Sequence, residues 1–126
     1  MVFLSRSYQE SKSTNSAALL RVGSVISSME QDCARDWKLE DFIEMSRQSR
    51  SHFIRTFAKA TSLSPFEYLI QLRLQRAMGL LRNSRLTISQ IAFEVGFNDS
   101  NYFARQFRKR KGASPLAYRK SFGSSS

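Results

Sequence analysis

A set of residues in this chain comes back at one fixed interval. Phe53, Arg55, Phe57, Ser64, Pro65 and Tyr68 are each followed 50 positions later by the same residue, at Phe103, Arg105, Phe107, Ser114, Pro115 and Tyr118. In a chain of 126 residues, a repeat of that period means that one supersecondary unit is built twice. Each Ser-Pro pair reads as an N-cap followed by proline at the first helical position, and Glu67 adds a capping box in the first copy. Each copy is therefore helix, turn, basic helix, short loop and Ser-Pro-capped helix.

The second copy is the clearer one. Thr87 and Gln90 form a capping box, and Ile88, Ile91, Ala92 and Val95 recur at the spacing of an apolar helix face. Gly96 supplies a left-handed residue that ends this helix. Asn98, Asp99 and Ser100 offer N-cap oxygens for the next, whose inner face is Phe103 and Phe107 and whose other faces carry Asn101, Tyr102, Arg105, Arg108 and Lys109. This is a helix-turn-helix pattern with a basic second helix. In the first copy Leu39, Phe42, Ile43 and Met45 line the first helix and Ser49 is the N-cap of the second. That second helix has Phe53 and Phe57 inside and carries Arg50, Ser51, His52, Ile54, Arg55 and Lys59. Arg47 stands where Gly96 stands, so either a left-handed arginine costs about 1 kcal/mol or the turn is built differently.

Residues 1–16 are polar and Ser-rich without periodicity and read as a tail or linker remnant. From Ala17 to Cys33, Leu19, Val22, Val25, Ile26 and Met29 follow helical spacing. The helix opened by Pro65 runs to about Leu81 with apolar residues on nearly all faces, as in a helix buried on two sides. Its length of ~25 Å suits a strut between two recognition helices about one DNA turn apart, ~34 Å. The resulting division is 17–84 for the first subdomain with its linker helix at 65–81, 85–122 for the second, and 123–126 for a terminal tail.

The net charge of +10 favours polyanionic partners, and it is unevenly placed. Leu63 to Ser126 holds eleven basic and three acidic residues, whereas Met1 to Ser62 holds nine and seven. With Cys33 as the single cysteine and His52 as the single histidine, neither an internal disulfide nor a Cys zinc site is available, so no metal or cofactor is expected. No apolar run reaches the ~18 residues of a membrane span, and the opening residues lack a signal-peptide core. A cytoplasmic protein without a membrane partner is the default. Enzymatic function finds little support, since there is no glycine-rich phosphate loop and no carboxylate pair in an apolar setting.

The second copy, with Ile88, Ile91, Ala92, Gly96, Phe97, Tyr102, Phe103, Arg105, Phe107, Gly112, Pro115 and Tyr118, resembles the signature of the AraC/XylS transcriptional regulators. The likeness runs from about Ile26 to Phe122. The first copy departs from the family pattern at Ile43, where alanine is usual, and at Arg47, where glycine is usual. The resemblance implies an all-helical domain of about seven helices, with two helix-turn-helix units joined by a long linker helix and inserted into successive major grooves of double-stranded DNA. Members of the family often carry a separate N-terminal sensing or dimerisation domain, for which this chain has no room, so it reads either as a stand-alone regulator or, favoured by its Ser-rich start, as a DNA-binding fragment of a longer protein; the segment itself is expected to be monomeric, and RNA polymerase is a candidate partner.

By position, the resemblance assigns base contacts to Arg50, Ser51, Ile54 and Arg55 on the first recognition helix and to Ser100, Asn101, Tyr102 and Arg105 on the second. The chemistry agrees, because arginine reads guanine, asparagine reads adenine and an apolar side chain meets the thymine methyl. Arg55 and Arg105 stand two residues beyond the inward Phe53 and Phe103, about 200° around the helix, and so point outward. Tyr102 reads equally as core edge or groove residue. Phosphate contacts are expected from Ser49, Lys59, Arg73, Arg108, Lys109 and Lys111. A protein-interaction module within a transcription complex, without base readout of its own, is the second reading.

Overall fold

A computed structural model describes the backbone of residues 2–123 and the side chains of residues 16–122. Among these residues there are seven helices and no strand: α1 (Val2–Gln31), α2 (Leu39–Ser46), α3 (Arg50–Thr61), α4 (Pro65–Asn83), α5 (Ile88–Glu94), α6 (Ser100–Lys111) and α7 (Pro115–Gly123). The all-helical class and the number of helices are those predicted. α1 begins at Val2 and not at Ala17, so the stretch read as a tail continues the helix; it contains no proline, and no glycine precedes Gly23. Residues 124–126 of the expected C-terminal tail lie outside the described residues. Among the described residues no helix is long and apolar enough to cross a membrane.

The chain divides into two compact units, one of residues 1–31 and 37–68, the other of residues 32–36 and 69–126. In the first, α1 packs on α2 and α3 and buries Ala18, Val22, Val25 and Met29 along one stripe. Leu19, expected inside, is 44% exposed because Ala18 holds the inward position. In α2 the buried pair is Phe42 and Ser46, four residues apart, which leaves Met45 exposed where the sequence suggested a core residue. Aromatic rings form a continuous series. Centroid separations are 5.4 Å for Trp37 and Phe42, 6.0 Å for Phe42 and Phe53, 5.6 Å for Phe53 and Phe57, and 5.6 Å for Phe57 and Tyr68. The Tyr68 hydroxyl closes the series by donating to Glu30 at 3.1 Å, and burial and this carboxylate together raise its pKa.

The second unit repeats the arrangement. Phe103 and Phe107 are 5.9 Å apart, Phe107 and Tyr118 are 5.6 Å apart, and the Tyr118 hydroxyl accepts from Arg82 Nη1. The core joins Leu74, Ala77 and Leu81 of α4 to Ile91, Ala92, Val95, Phe97, Phe103 and Phe107. The linker helix, assigned from sequence to the first subdomain, thus supplies one wall of the second. It has one buried stripe with partly buried flanks at Ile70, Met78 and Leu80, and Phe66 is 40% exposed, so it is not enclosed on all sides as its composition suggested.

The two turns close differently. After α5, the N–H groups of Gly96 and Phe97 donate back to the carbonyls of Phe93 and Ala92 at 3.1 and 2.9 Å. This paired cap requires a left-handed residue, and Gly96 has φ +109°, outside the range a side chain tolerates. A Cβ there would also stand 2.7 Å from the Ala34 Cα and 3.0 Å from its carbonyl oxygen. After α2, a single bond runs from Arg47 N–H to Ile43 O at 2.9 Å, with Arg47 at φ 54° and ψ 39°, the small left-handed basin open to L-residues at about 1 kcal/mol. The first turn is also one residue shorter. Between the left-handed residue and the N-cap stands Gln48 alone in the first unit, but Phe97 and Asn98 in the second. Gln48 is buried where Phe97 is buried in the other turn; its Nε2 reaches Ala18 O at 3.5 Å and its Oε1 has no partner among the described residues.

Gly96→Ala is expected to cost more than about 2 kcal/mol, because left-handed strain adds to a backbone overlap. Arg47→Gly should move stability by less than about 0.5 kcal/mol, since relief of strain is offset by a freer unfolded chain. Urea melts of the two variants decide the matter, and equal effects would contradict the two cap geometries. Gln48→Met, which removes a buried acceptor without a partner and keeps the side-chain length, should raise stability by about 1 kcal/mol in the same melts; a loss of stability would mean that the amide is satisfied.

Candidate nucleic-acid interface

α3 and α6 are built alike, twelve residues each and capped at both ends. Ser49 Oγ accepts from the His52 N–H at 3.2 Å, and Asp99 Oδ1 accepts from the Asn101 N–H at 2.9 Å. Each satisfies a backbone donor that the helix start leaves unpaired, and the Asp99 carboxylate also meets the positive end of the helix dipole. The Ser49 hydroxyl keeps its own proton for a further acceptor. At the far ends Ser62 and Gly112, 50 positions apart, are both left-handed and donate to Ala58 O and Arg108 O at 2.7 and 2.9 Å.

The phenylalanines, with Thr56 on α3, form the buried face, and most of the other positions are exposed. Arg50, Ser51, Arg55 and Lys59 are exposed on α3, and Ile54 is 38% exposed, an apolar residue kept at the surface. On α6 Asn101, Arg105, Arg108, Lys109 and Lys111 are exposed, while Ser100, at the first helical position, is half-buried. The last turn of α6 carries Arg108, Lys109, Arg110 and Lys111, four cations at the negative end of the dipole. Arg110 Nε donates to Gln106 at 3.2 Å, which ties it along the helix.

Tyr102, which the sequence left between core edge and groove, is packed on one side and exposed on the other. Its ring lies 6.0 Å from Phe97, yet the residue is 38% exposed and the Arg105 guanidinium sits 5.8 Å above it. Stacking of this kind holds an arginine in a limited set of rotamers. Arg55, its counterpart, instead lines a groove against α1 with His52 and Lys59.

Arg73 is held by main-chain carbonyls. Its Nε donates to Cys33 O at 2.7 Å, its Nη2 to Arg35 O at 2.9 Å, and its guanidinium lies 5.7 Å over Phe97. Burial lowers its pKa from the usual arginine value, with Cys33 and Asp36 acting the other way. The residue therefore fastens the 32–36 connector to α4 and to the α5–α6 turn. Arg119 does the same at the other end of α4, donating to Leu81 O and Ser84 O at 3.0 and 3.3 Å. Nothing in the local sequence separates these two structural arginines from surface ones, because their acceptors are main-chain carbonyls more than thirty residues away.

Residues 44–121 match the family model described as a helix-turn-helix domain. The chain is 35% identical over 101 residues to an uncharacterized HTH-type transcriptional regulator of Haemophilus influenzae, covering 80% of this chain and 34% of that protein. It is 36% identical over 112 residues to the Msm operon regulatory protein of Streptococcus mutans, covering 89% of this chain and 39% of that protein. To the transcriptional activator RhaR of Mannheimia succiniciproducens it is 34% identical over 114 residues, covering 90% and 41%. The chain thus spans about a third to two-fifths of the length of these curated relatives. Among solved structures it is similar to the DNA-binding domain of AdpA in complex with a target DNA, with TM-score 0.78, 26% identity and coverage of 81% of this chain and 92% of that one. The C-terminal domain of AraT, a response regulator from Geobacillus stearothermophilus, gives TM-score 0.75, 28% identity and coverage of 79% and 84%. Two capped helix-turn-helix units, a matching family model over most of the chain and these relatives agree: the chain belongs to the AraC/XylS family of helix-turn-helix transcriptional regulators.

Proposed function

We propose that this chain binds double-stranded DNA sequence-specifically and regulates transcription, with α3 and α6 entering successive major grooves. The observation that carries this reading is the pair Arg55 and Arg105, exposed at equivalent positions of two helices whose opposite faces are locked by phenylalanines. A rigid helix presenting arginine, asparagine and an apolar residue outward is what base readout in a major groove requires. Base contacts are assigned to Arg50, Ser51, Ile54 and Arg55 on α3 and to Ser100, Asn101, Tyr102 and Arg105 on α6. Ser49, Lys59, Arg108, Lys109 and Lys111 are assigned to phosphates; Arg73 is left out because carbonyls already hold it. A cytoplasmic location, a monomeric segment and contact with RNA polymerase belong to the same proposal. No catalytic residues are assigned.

Arg105→Ala should cost ~1 to 3 kcal/mol on a selected site and relax preference at one base pair, whereas Lys109→Ala should weaken all duplexes about equally and lower the salt slope by about one. Titrations against selected and random duplexes check this, and equal losses on both for Arg105→Ala would remove base readout. For the unaltered protein, log affinity should fall steeply and linearly with log salt. A flat response in gel-shift titrations would favour a protein-interaction module instead.

A further inference from the structure

Within the first unit α1 and α3 flank a half-open groove of about 610 Å³ lined, among the described residues, by Ala18, Leu19, His52, Arg55, Thr56 and Lys59. The four α3 residues follow the i, i+3, i+4, i+7 spacing of one helix face, and none of the six is acidic. Among the described residues, those contributed by α1 are Ala18 and Leu19, both apolar. Thr56 lies at the base, almost fully buried, its hydroxyl donating to His52 O at 2.7 Å. The volume falls in the range of small-molecule sites, and the lining combines apolar side chains with one arginine and one lysine.

The equivalent α6 face is differently furnished. His52, Arg55, Thr56 and Lys59 correspond, 50 positions on, to Tyr102, Arg105, Gln106 and Lys109. There Arg105 is stacked on Tyr102, and Gln106 accepts from Arg110. The larger tyrosine and glutamine occupy that face with their own contacts, whereas small Thr56 beside α1 leaves the groove open in the first unit.

We propose that this groove binds a small organic anion with an apolar body, its charged group between Arg55 and Lys59 and its body against Ala18 and Leu19. Occupation engages two side chains assigned above to DNA, so the ligand and the first recognition helix's DNA contacts compete. This second half rests on the DNA-binding reading; the binding of the anion does not.

The test uses 8-anilinonaphthalene-1-sulfonate, an amphipathic anion that fluoresces in apolar surroundings, with the whole chain. Leu19→Asp puts a negative charge on the α1 side of the groove at a partly exposed position outside the proposed DNA contacts; Lys59→Gln removes one cation at an exposed site. Saturable binding is expected, weakened at least tenfold by Leu19→Asp and severalfold by Lys59→Gln, with circular dichroism melts confirming that both variants fold. Saturating probe should lower the duplex affinity of the unaltered chain severalfold and leave that of Leu19→Asp unchanged. Equal probe binding by the unaltered chain and both variants overturns the site. Probe binding that tracks Leu19 while duplex affinity is indifferent to the probe overturns the competition. No duplex binding at all, with probe binding still tracking Leu19, sinks the DNA reading and leaves the anion site standing.

Discussion

Two phenylalanines four residues apart hold each recognition helix to its unit. Phe53 and Phe57 on α3, and Phe103 and Phe107 on α6, are fully buried, and each pair is continued edge-on by a tyrosine from the Ser-Pro-capped helix that follows. A buried phenylalanine contributes roughly 1.5 to 3 kcal/mol from area alone, and ring pairs of this geometry add about 0.5 to 1.5 kcal/mol. The position of every outward residue follows from this anchoring. Because the phenylalanines fix rotation about the helix axis, Arg55 and Arg105 are directed outward by the helix period alone. The outer face can then change in sequence at little cost to stability, which suits a surface that must specify one ligand among many similar ones.

The turns solve the same problem with different materials. A paired cap around Gly96 admits two further residues before the next N-cap, and one of them, Phe97, enters the core beneath Arg73. The shorter turn at Arg47 admits one, and Gln48 fills the buried place with an amide that is only half satisfied. Among the described residues, the first motif carries local strain and a buried acceptor without a partner; the second carries neither. Both features are tolerated because the phenylalanine anchor and the α1 stripe supply far more stabilisation than these costs remove.

Much of this was legible in the sequence. The fixed interval of 50, the Ser-Pro starts, the Thr87–Gln90 box, the N-cap at Ser49 and the phenylalanine faces are local signals, and the helices formed where those signals stood. The departures arose where a neighbour distant in sequence decides. Leu19 and Met45 satisfy helical spacing as well as Ala18 and Ser46 do, and only the packed partners choose between them. Arg73 looks like any basic residue on a linker helix until the carbonyls of Cys33 and Arg35 come within reach. The outward residues of α3 and α6 were readable for the same reason as the core, since one period fixes both faces.

The 32–36 connector has a consequence for how such a molecule can be divided. The chain leaves the first unit after Gln31, spends five residues in the second, and returns at Trp37 before crossing again within α4. Ala34 stands against Gly96, and Cys33 and Arg35 occupy the donors of Arg73. The two repeats are therefore not interchangeable cassettes. A duplication has the look of modularity in its sequence, yet here the later copy is completed by a loop that comes from the earlier one.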